Sequence, residues 1–372
     1  MKFTCEKAEL QAAVSVAARA ASPRSPIPAL EGILLEAGTD RLKLTGYDLK
    51  KGIYTAVPAA VTEPGNIVLS ARVFGSIVNS LPDGTVTLQT EGSNNSTSIR
   101  CGSAAFNITG SDAADYPELP EIDGPAGVSL PQDLLSRMIR QTIFAVSDNE
   151  SRPVYTGELF EIGGGRLTLV AVDGYRLALR RENVGGVEGE YTFIVPGGAL
   201  SDVEKLCGDT EDEVRIGLGS KHISFRFPQS GTVLISRRLD GDFLDYKKTV
   251  PTEFGVKVLA DRAGLQRTIE RVSLVIDDRI KNPLRCTFDK DEVRFACATG
   301  VGKAEDVFGV EGDGGGMVIG FNNRYLLDAL KAAPADAVRI CLNSGSSPCV
   351  FEPAEGTDGF LYMILPVRLK QE

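Results

Sequence analysis

Sliding the 372-residue chain against itself by 125 positions places Leu10 on Leu135, Pro28 on Pro153, Gly32 on Gly157, Leu34 on Leu159, Leu42 on Leu167, Leu44 on Leu169 and Asp48 on Asp173 without a gap. A further shift of 130 places Leu135 on Leu265 and Pro153 on Pro283, so leucine and proline stand 18 residues apart in all three copies. Leucine matches are cheap in an apolar sequence. The weight rests on the proline and the fixed interval, which mark one structural unit used three times.

Each copy opens on a short apolar strand ("KFTC", "VSL", "VKVL") and continues into a helical stretch: "KAELQAAVSVAARA", "QDLLSRMIRQTIFAV" and "RAGLQRTIERVSLVI". Apolar residues there recur at intervals of three and four, the period of a helix with one buried face. Alternating strands follow the proline ("ILLEA", "RLKLTGYD"; "ELFEI", "RLTLVAVD"; "RCTFD", "EVRFACAT"), then a second helix ("ARVFGSIVNSL", "GGALSDVEKL", "NNRYLLDALKAA") and closing strands with turn signals such as Asp83-Gly84. The Pro- and Gly-rich segments 116–127 and 249–255 join the copies, and the exits "DYPELP" and "DYKKTVP" correspond. The pattern predicts an α+β chain of three tandem domains, 1–120, 127–251 and 254–372, each with two helices packed on antiparallel sheets.

Searching this frame for chemistry yields little. The single histidine, His222, lies in an alternating strand, "KHISFRF", without a sequence neighbour that would make it a base. Gly163-Gly164-Gly165 and Gly314-Gly315-Gly316 open no helix and lack the spacing of phosphate loops; both are expected to be hairpin turns. Asp277-Asp278 and the acidic run "GDTEDE" at 208–213 read as solvated loops rather than metal ligands. Seven cysteines, an odd number without a C-x-x-C pair, read as small core residues in a reducing compartment. No catalytic residue, cofactor or metal is expected. No apolar run approaches the roughly 18 residues of a membrane span. "MKFTCEKAEL" has no apolar signal core, so a cytoplasmic location and no membrane partner are expected.

A net charge of −10 argues against a protein that holds nucleic acid by bulk electrostatics. The charge is unevenly placed, however. The six helical segments together carry +4, which leaves −14 for the rest of the chain.

The ordered series "MKFTCEKAEL", "PIPALEGILLEA", "LTGYDL", "YPELP", "AVDGYRLAL", "FLDYKK", "GFNNRYLLDAL" and "LPVRL" resembles the bacterial β sliding clamps, the processivity subunits of DNA polymerase III, from Met1 to Leu369. The resemblance implies a non-catalytic head-to-tail homodimer forming a six-domain ring around double-stranded DNA, helices lining the hole. A ring retains DNA by topology and needs only weak phosphate contacts, which reconciles it with the net charge. The implied partners in replication and DNA repair are the replicative polymerase's catalytic subunit, the clamp loader, translesion polymerases and mismatch-repair proteins, bound through short peptides.

For those peptides the resemblance implies a groove formed by the D-G-x-R-L turn and the C-terminal P-x-R-L segment, here Gly174, Tyr175, Arg176 and Leu177 with Pro366, Arg368 and Leu369. Tyr155, Val172, Leu244, Lys248, Thr249, Leu365 and Val367 supply its walls, and Asn322 and Tyr325 border it. The arginines are expected to donate hydrogen bonds to peptide carbonyls or carboxylates. Tyr175 stands where the family pattern has histidine, Tyr155 where it has leucine and Leu244 where it has proline, and Lys370 to Glu372 extend the tail; these departures bear on peptide preference. For DNA, Arg24 and Asn149 match family positions, while Arg72, Arg137, Arg140, Arg267 and Arg271 follow from helix position alone. Phe106 and Ile108 are expected to face Val275 and Ile276 of a partner chain. Two other readings are a tandem-domain peptide-binding scaffold that does not encircle DNA, and an enzyme dependent on a carboxylate pair or His222.

Overall fold

The three leucines and the first two prolines turn out to be structural anchors. In the computed structural model, which describes all residues except 92–93, 123–125, 186–188, 278–281, 356–358 and 370–372, Leu10, Leu135 and Leu265 are at most 1% exposed. Each such side chain stabilises the fold by roughly 2 kcal/mol. Pro28 and Pro153 each open a 3₁₀ turn, Pro28–Glu31 and Pro153–Thr156, where a missing N–H costs nothing.

The helices are α1 (Lys7–Ala17), α2 (Ala71–Ser80), α3 (Gln132–Arg140), α4 (Gly197–Leu206), the single turn α5 (Tyr246–Thr249), α6 (Arg262–Ser273) and α7 (Asn323–Ala332). Their starts follow from local chemistry. Side chains of Ser70, Asp261 and Asn322 accept the N–H groups of Val73, Gly264 and Arg324 at 3.5, 2.6 and 3.0 Å. The helix expected over 132–146 stops at Arg140. There the Thr142 hydroxyl donates back to the carbonyls of Met138 and Ile139 (2.9 and 3.3 Å), and the chain tightens into the 3₁₀ turn Ile143–Ala145.

The chain divides into two compact units, Met1–Ser136 with Asp202–Arg238, and Arg137–Ser201 with Leu239–Glu372. The first holds two sheets. One runs in the order Ala60–Glu63, Lys2–Glu6, Thr85–Glu91, Ser96–Cys101, Ala104–Thr109; the other runs Ala126–Pro131, Glu213–Leu218, His222–Phe227, Thr232–Arg237, Lys51–Pro58, Arg41–Tyr47, Gly32–Ala37, Gly65–Ser70. The second unit holds one ten-stranded sheet: Tyr191–Pro196, Gly157–Gly163, Arg166–Val172, Arg176–Asn183, Phe360–Ile364, Cys349–Pro353, Ala337–Leu342, Val256–Asp261, Lys303–Phe321, Leu284–Ala298. Every strand pairing described is antiparallel, as expected of an α+β chain.

The middle copy thus gives half its strands to each unit. Thr232–Arg237 pairs with Lys51–Pro58 of the first copy (Val233 opposite Tyr54), and Arg176–Asn183 pairs with Phe360–Ile364 of the third (Leu177 opposite Met363). Gly163 to Gly165 form the expected hairpin corner, with Gly164 and Gly165 at φ 58° and 73°. Gly314 to Gly316 do not. They lie inside Lys303–Phe321, where the register jumps from Lys290 opposite Asp313 to Phe288 opposite Met317. Gly315 and Gly316 take φ 63° and 73° within this irregular stretch of the ladder. The runs "RCTFD" and "EVRFACAT" likewise fuse into one strand, Leu284–Ala298.

Candidate functional site

The turn 173–176 is shaped by its first residue. Asp173 Oδ1 accepts the N–H groups of Tyr175 and Arg176 (2.9 and 3.0 Å), and Gly174 takes φ 91°, which a side chain would strain. The tail lies against this turn through the Leu365 N–H, which donates to the Tyr175 carbonyl (2.8 Å); the Val367 N–H then donates to the Gly320 carbonyl (2.8 Å). Glycine is required at 320, because a Cβ there would stand 2.6 Å from the Val367 oxygen and 2.8 Å from Leu369 Cδ2. The structure therefore brings together the turn and the tail that the family resemblance assigns to one groove.

Its surface is aromatic. Tyr175, 63% exposed, stacks on Tyr325 with ring centroids 6.3 Å apart. Tyr155 meets Phe243 edge to face at 5.7 Å, with Leu244 partly buried in the same apolar cluster and Val172 and Leu177 beneath it at 2% and 1% exposure. Asn322 caps α7 and Tyr325 lies one turn along it. Lys248 is exposed and paired with Asp245 (2.7 Å), while the Thr249 hydroxyl donates to the Asp245 carbonyl (2.9 Å). Val367 and Arg368 are exposed, and Leu365, Pro366 and Leu369 half-buried; Lys370 to Glu372 lie outside the described residues.

Arg176 is engaged within its own chain. Its Nε donates to Asp173 Oδ2 (2.9 Å) and its Nη1 to Asp328 Oδ2 (2.6 Å), and its guanidinium lies 4.5 Å from the Tyr325 ring centroid and 5.3 Å from that of Phe144. Held on its edge and faced by two rings, it ties the turn to Asp328 and to Tyr325 of α7. Burial, then the charge of Asp173, pushes the Tyr325 phenol up, so the ring stays neutral.

The residues expected at DNA, Arg24, Arg72, Arg137, Arg140, Asn149, Arg267 and Arg271, are all exposed. Arg271 is already engaged, its Nε and Nη2 bonded to Asp306 at 2.8 and 2.7 Å. At the expected seam, Phe106 is 37% exposed on Ala104–Thr109, an edge strand, and Ile108 packs partly on the core beneath. Val275 and Ile276 pack partly into their own core, whereas the adjacent Leu274 is 84% exposed. Leu274 was not among the residues expected there; the leucine alignment places it on Phe144 and Arg19.

The residues weighed for chemistry lie apart from this surface. His222 has its pKa lowered by burial and by Arg237 and Lys221. Six cysteines are buried and Cys207 is half-buried. Among the described residues no three His, Cys, Asp or Glu side chains gather as a metal site, and no helix is long and apolar enough to cross a membrane. Of the carboxylate pair Asp277-Asp278, Asp278 lies outside the described residues.

Three family models, described as the N-terminal, central and C-terminal domains of the DNA polymerase III beta subunit, match residues 1–120, 129–245 and 247–368 in that order. The chain belongs to the DNA polymerase III beta subunit family. A relative from Synechococcus elongatus, named beta sliding clamp, is 33% identical over 378 residues covering all of both chains. The crystal structure of the Bacillus subtilis DNA polymerase sliding clamp superposes with a TM-score of 0.92 at 31% identity, again over all of both chains. A sliding clamp from Pseudomonas aeruginosa, solved bound to griselimycin, matches with a TM-score of 0.92 at 29% identity over 99% of this chain and 100% of that one. The turn–tail surface around Tyr175 and Tyr325 is thus set in a fold whose solved relatives include DNA polymerase sliding clamps.

Proposed function

We propose that this chain is a DNA sliding clamp with no chemistry of its own, a tether that keeps the replicative polymerase and other replication and repair proteins on duplex DNA. The observation that carries the reading is the full-length match to three consecutive beta subunit domains in a chain built from three copies of one unit. In this reading the domains are 1–120, 127–251 and 254–372, two chains close head to tail into a ring, and the exposed arginines of α2, α3 and α6 face the DNA. Partner peptides lay apolar anchors between the aromatic pair Tyr155–Phe243 and the turn–tail surface of Tyr175, Tyr325 and Val367. Arg368, exposed at the rim, is the arginine placed to meet a peptide carboxylate or carbonyl. A scaffold that does not encircle DNA is not favoured, since the relatives matched over the whole chain are named clamps.

The test is retention on nicked circular DNA after loading by the cognate clamp loader and ATP. A clamp stays on the circle and runs off once the circle is cut. Retention that survives cutting indicates ordinary affinity and contradicts the reading, as does failure to be retained by an active loader.

A further inference from the structure

The apolar cluster beneath the proposed groove lies on one face of the ten-stranded sheet. On that face the pair Val172 and Leu177 is followed by Val170 and Leu179, all four buried, and then by Thr168 and Arg181. Thr168 stands opposite Glu161, and the next pair sets Arg166 opposite Gly163. The period of two that keeps these side chains together thus carries the face from aliphatic to charged over about 13 Å, the rise from Leu177 to Arg181.

A cavity of about 450 Å³ opens at the charged end. Tyr246 and Lys247 of α5 line it, while Lys248 and Thr249 of the same turn belong to the proposed groove wall, so one helical turn borders both. Glu161 is engaged by that turn: its Oε1 accepts from Lys247 Nζ at 3.0 Å and its Oε2 from the Tyr246 hydroxyl. Burial, then Glu161, pushes the Tyr246 phenol up, so it keeps the proton it donates.

The arginines on the lining are not engaged in this way. Arg166 is exposed and Arg181 half-buried, and among the described residues neither is in an ion pair. Both also line a hollow of about 130 Å³ beside Arg180 and Asn183, where Arg180 is paired with Glu182. The other acid of the larger cavity is Glu190, whose Cγ lies 3.0 Å from where a Cβ on Gly163 would stand. Arg166, Arg181 and Lys247 therefore outnumber Glu161 and Glu190 on this lining, in a chain of net charge −10.

We propose that this cavity is the distal end of the partner-peptide groove and takes an acidic side chain of the partner, about four residues beyond its apolar anchors, between Arg166 and Arg181. The inference rests on the groove reading and adds to it a preference for acidic flanks. An extended peptide rises about 3.3 Å per residue, so about four residues cover the distance from Leu177 to Arg181. Guanidinium forks with donors to give bind a carboxylate at two points, and Glu161, already bonded to Tyr246 and Lys247, repels it little.

The experiment is fluorescence anisotropy with the peptide by which the cognate replicative polymerase binds the clamp. The peptide is extended at either end by Gly-Ser-Asp-Asp, read outwards from the anchors, or by the twins Gly-Ser-Asn-Asn and Gly-Ser-Lys-Lys. At one end the Asp-Asp form is expected to bind the native chain about tenfold more tightly than its Asn-Asn twin. Arg166→Gln with Arg181→Gln is expected to abolish that preference, and Arg166→Glu with Arg181→Glu to turn it towards Lys-Lys, a gain that loss of fold does not mimic. Arg226→Gln, at an exposed arginine of the other unit, is expected to leave it unchanged. Equal binding of the Asp-Asp and Asn-Asn forms at both ends overturns the proposal, as does a preference that survives the double Gln variant or is lost with Arg226. Binding of the unextended peptide that ignores deletion of 365–372 overturns the groove reading itself, and the extension with it.

Discussion

At Asp48 and at Asp173 the backbone takes the same turn, and at both a later strand lies against it through one backbone bond, from the Arg237 N–H to the Lys50 carbonyl (2.9 Å) and from the Leu365 N–H to the Tyr175 carbonyl (2.8 Å). The linkers beyond the two copies then diverge. The linker leaving the first copy anchors Tyr116 and then lays Leu119 on Gly52, so closely that a Cβ on Gly52 would stand 2.6 Å from Leu119 Cδ2. The linker leaving the second copy anchors the corresponding Tyr246 but presents the exposed Thr249 where Leu119 stood, and Leu177 takes the place of Gly52. One turn is covered by its own linker and carries lysines. The other has no leucine of its linker laid on it and carries Tyr175 beside the hydrogen-bonded segment 365–369. The two turns are built alike and differ in cover and in surface, and the proposed groove lies at the uncovered, aromatic one.

The contrast between the two turns is open to experiment. Deleting 365–372 removes the tail from the open turn and is expected to abolish binding of partner peptides while the dimer persists, read by anisotropy and sedimentation; loss of both together would place groove and seam wrongly. Next in size is the unequal strength of two ion pairs that join successive copies, Lys51 with Asp202 and Arg176 with Asp328. Asp202 serves both Lys51 and Arg19 with its side chain 11% exposed, so Asp202→Asn leaves two half-buried cations unpaired and is expected to cost about 3 kcal/mol. Asp328 is 38% exposed, and Asp328→Asn is expected to cost about 1 kcal/mol in the same denaturation measurement. Equal losses would contradict the difference in burial.

Smaller effects sharpen the contrast. Tyr175→Ala is expected to weaken peptide binding about tenfold without lowering stability, whereas Lys50→Ala at the covered turn leaves binding unchanged. The cores also differ between copies. Ile33 of the first copy, fully buried, corresponds to Glu158 of the second, also fully buried, whose Oε2 lies 2.9 Å from the Thr142 Oγ1. Burial pushes the Glu158 carboxyl up to about 8 from 4.5. The folded state therefore holds a proton that the unfolded state releases, and stability falls as pH rises from about 4.5 towards 8, by about 1 kcal/mol per pH unit. Glu158→Gln is expected to flatten that slope in thermal melts at a series of pH values; an unchanged slope would assign the titration to another group.

The three copies were legible because their signal is local. Leucine, proline and turn residues recur at set distances; the leucines became core in all three copies and the prolines 3₁₀ starts in the first two. The groove was legible only through resemblance: nothing in "VDGYRLAL" by itself says that Arg176 will spend its donors on Asp173 and Asp328. Less visible was the division of the middle copy between two units. It arises from the pairing of Thr232–Arg237 with Lys51–Pro58 and of Arg176–Asn183 with Phe360–Ile364, and strand partners chosen across more than a hundred residues leave no periodic trace. The hairpin expected at Gly314 to Gly316 fails for a related reason, since bulges and hairpin corners both call for left-handed glycines and only the partner strand tells them apart.

The most direct test of the open and covered turns is hydrogen exchange read by mass spectrometry, with and without the peptide by which the cognate replicative polymerase binds the clamp. Exchange is expected to slow at 173–177 and 365–369, and to stay unchanged at the otherwise equivalent 48–52. Protection at 48–52, or its absence at 173–177 with peptide bound, would contradict the assignment of one turn as covered and the other as the binding groove.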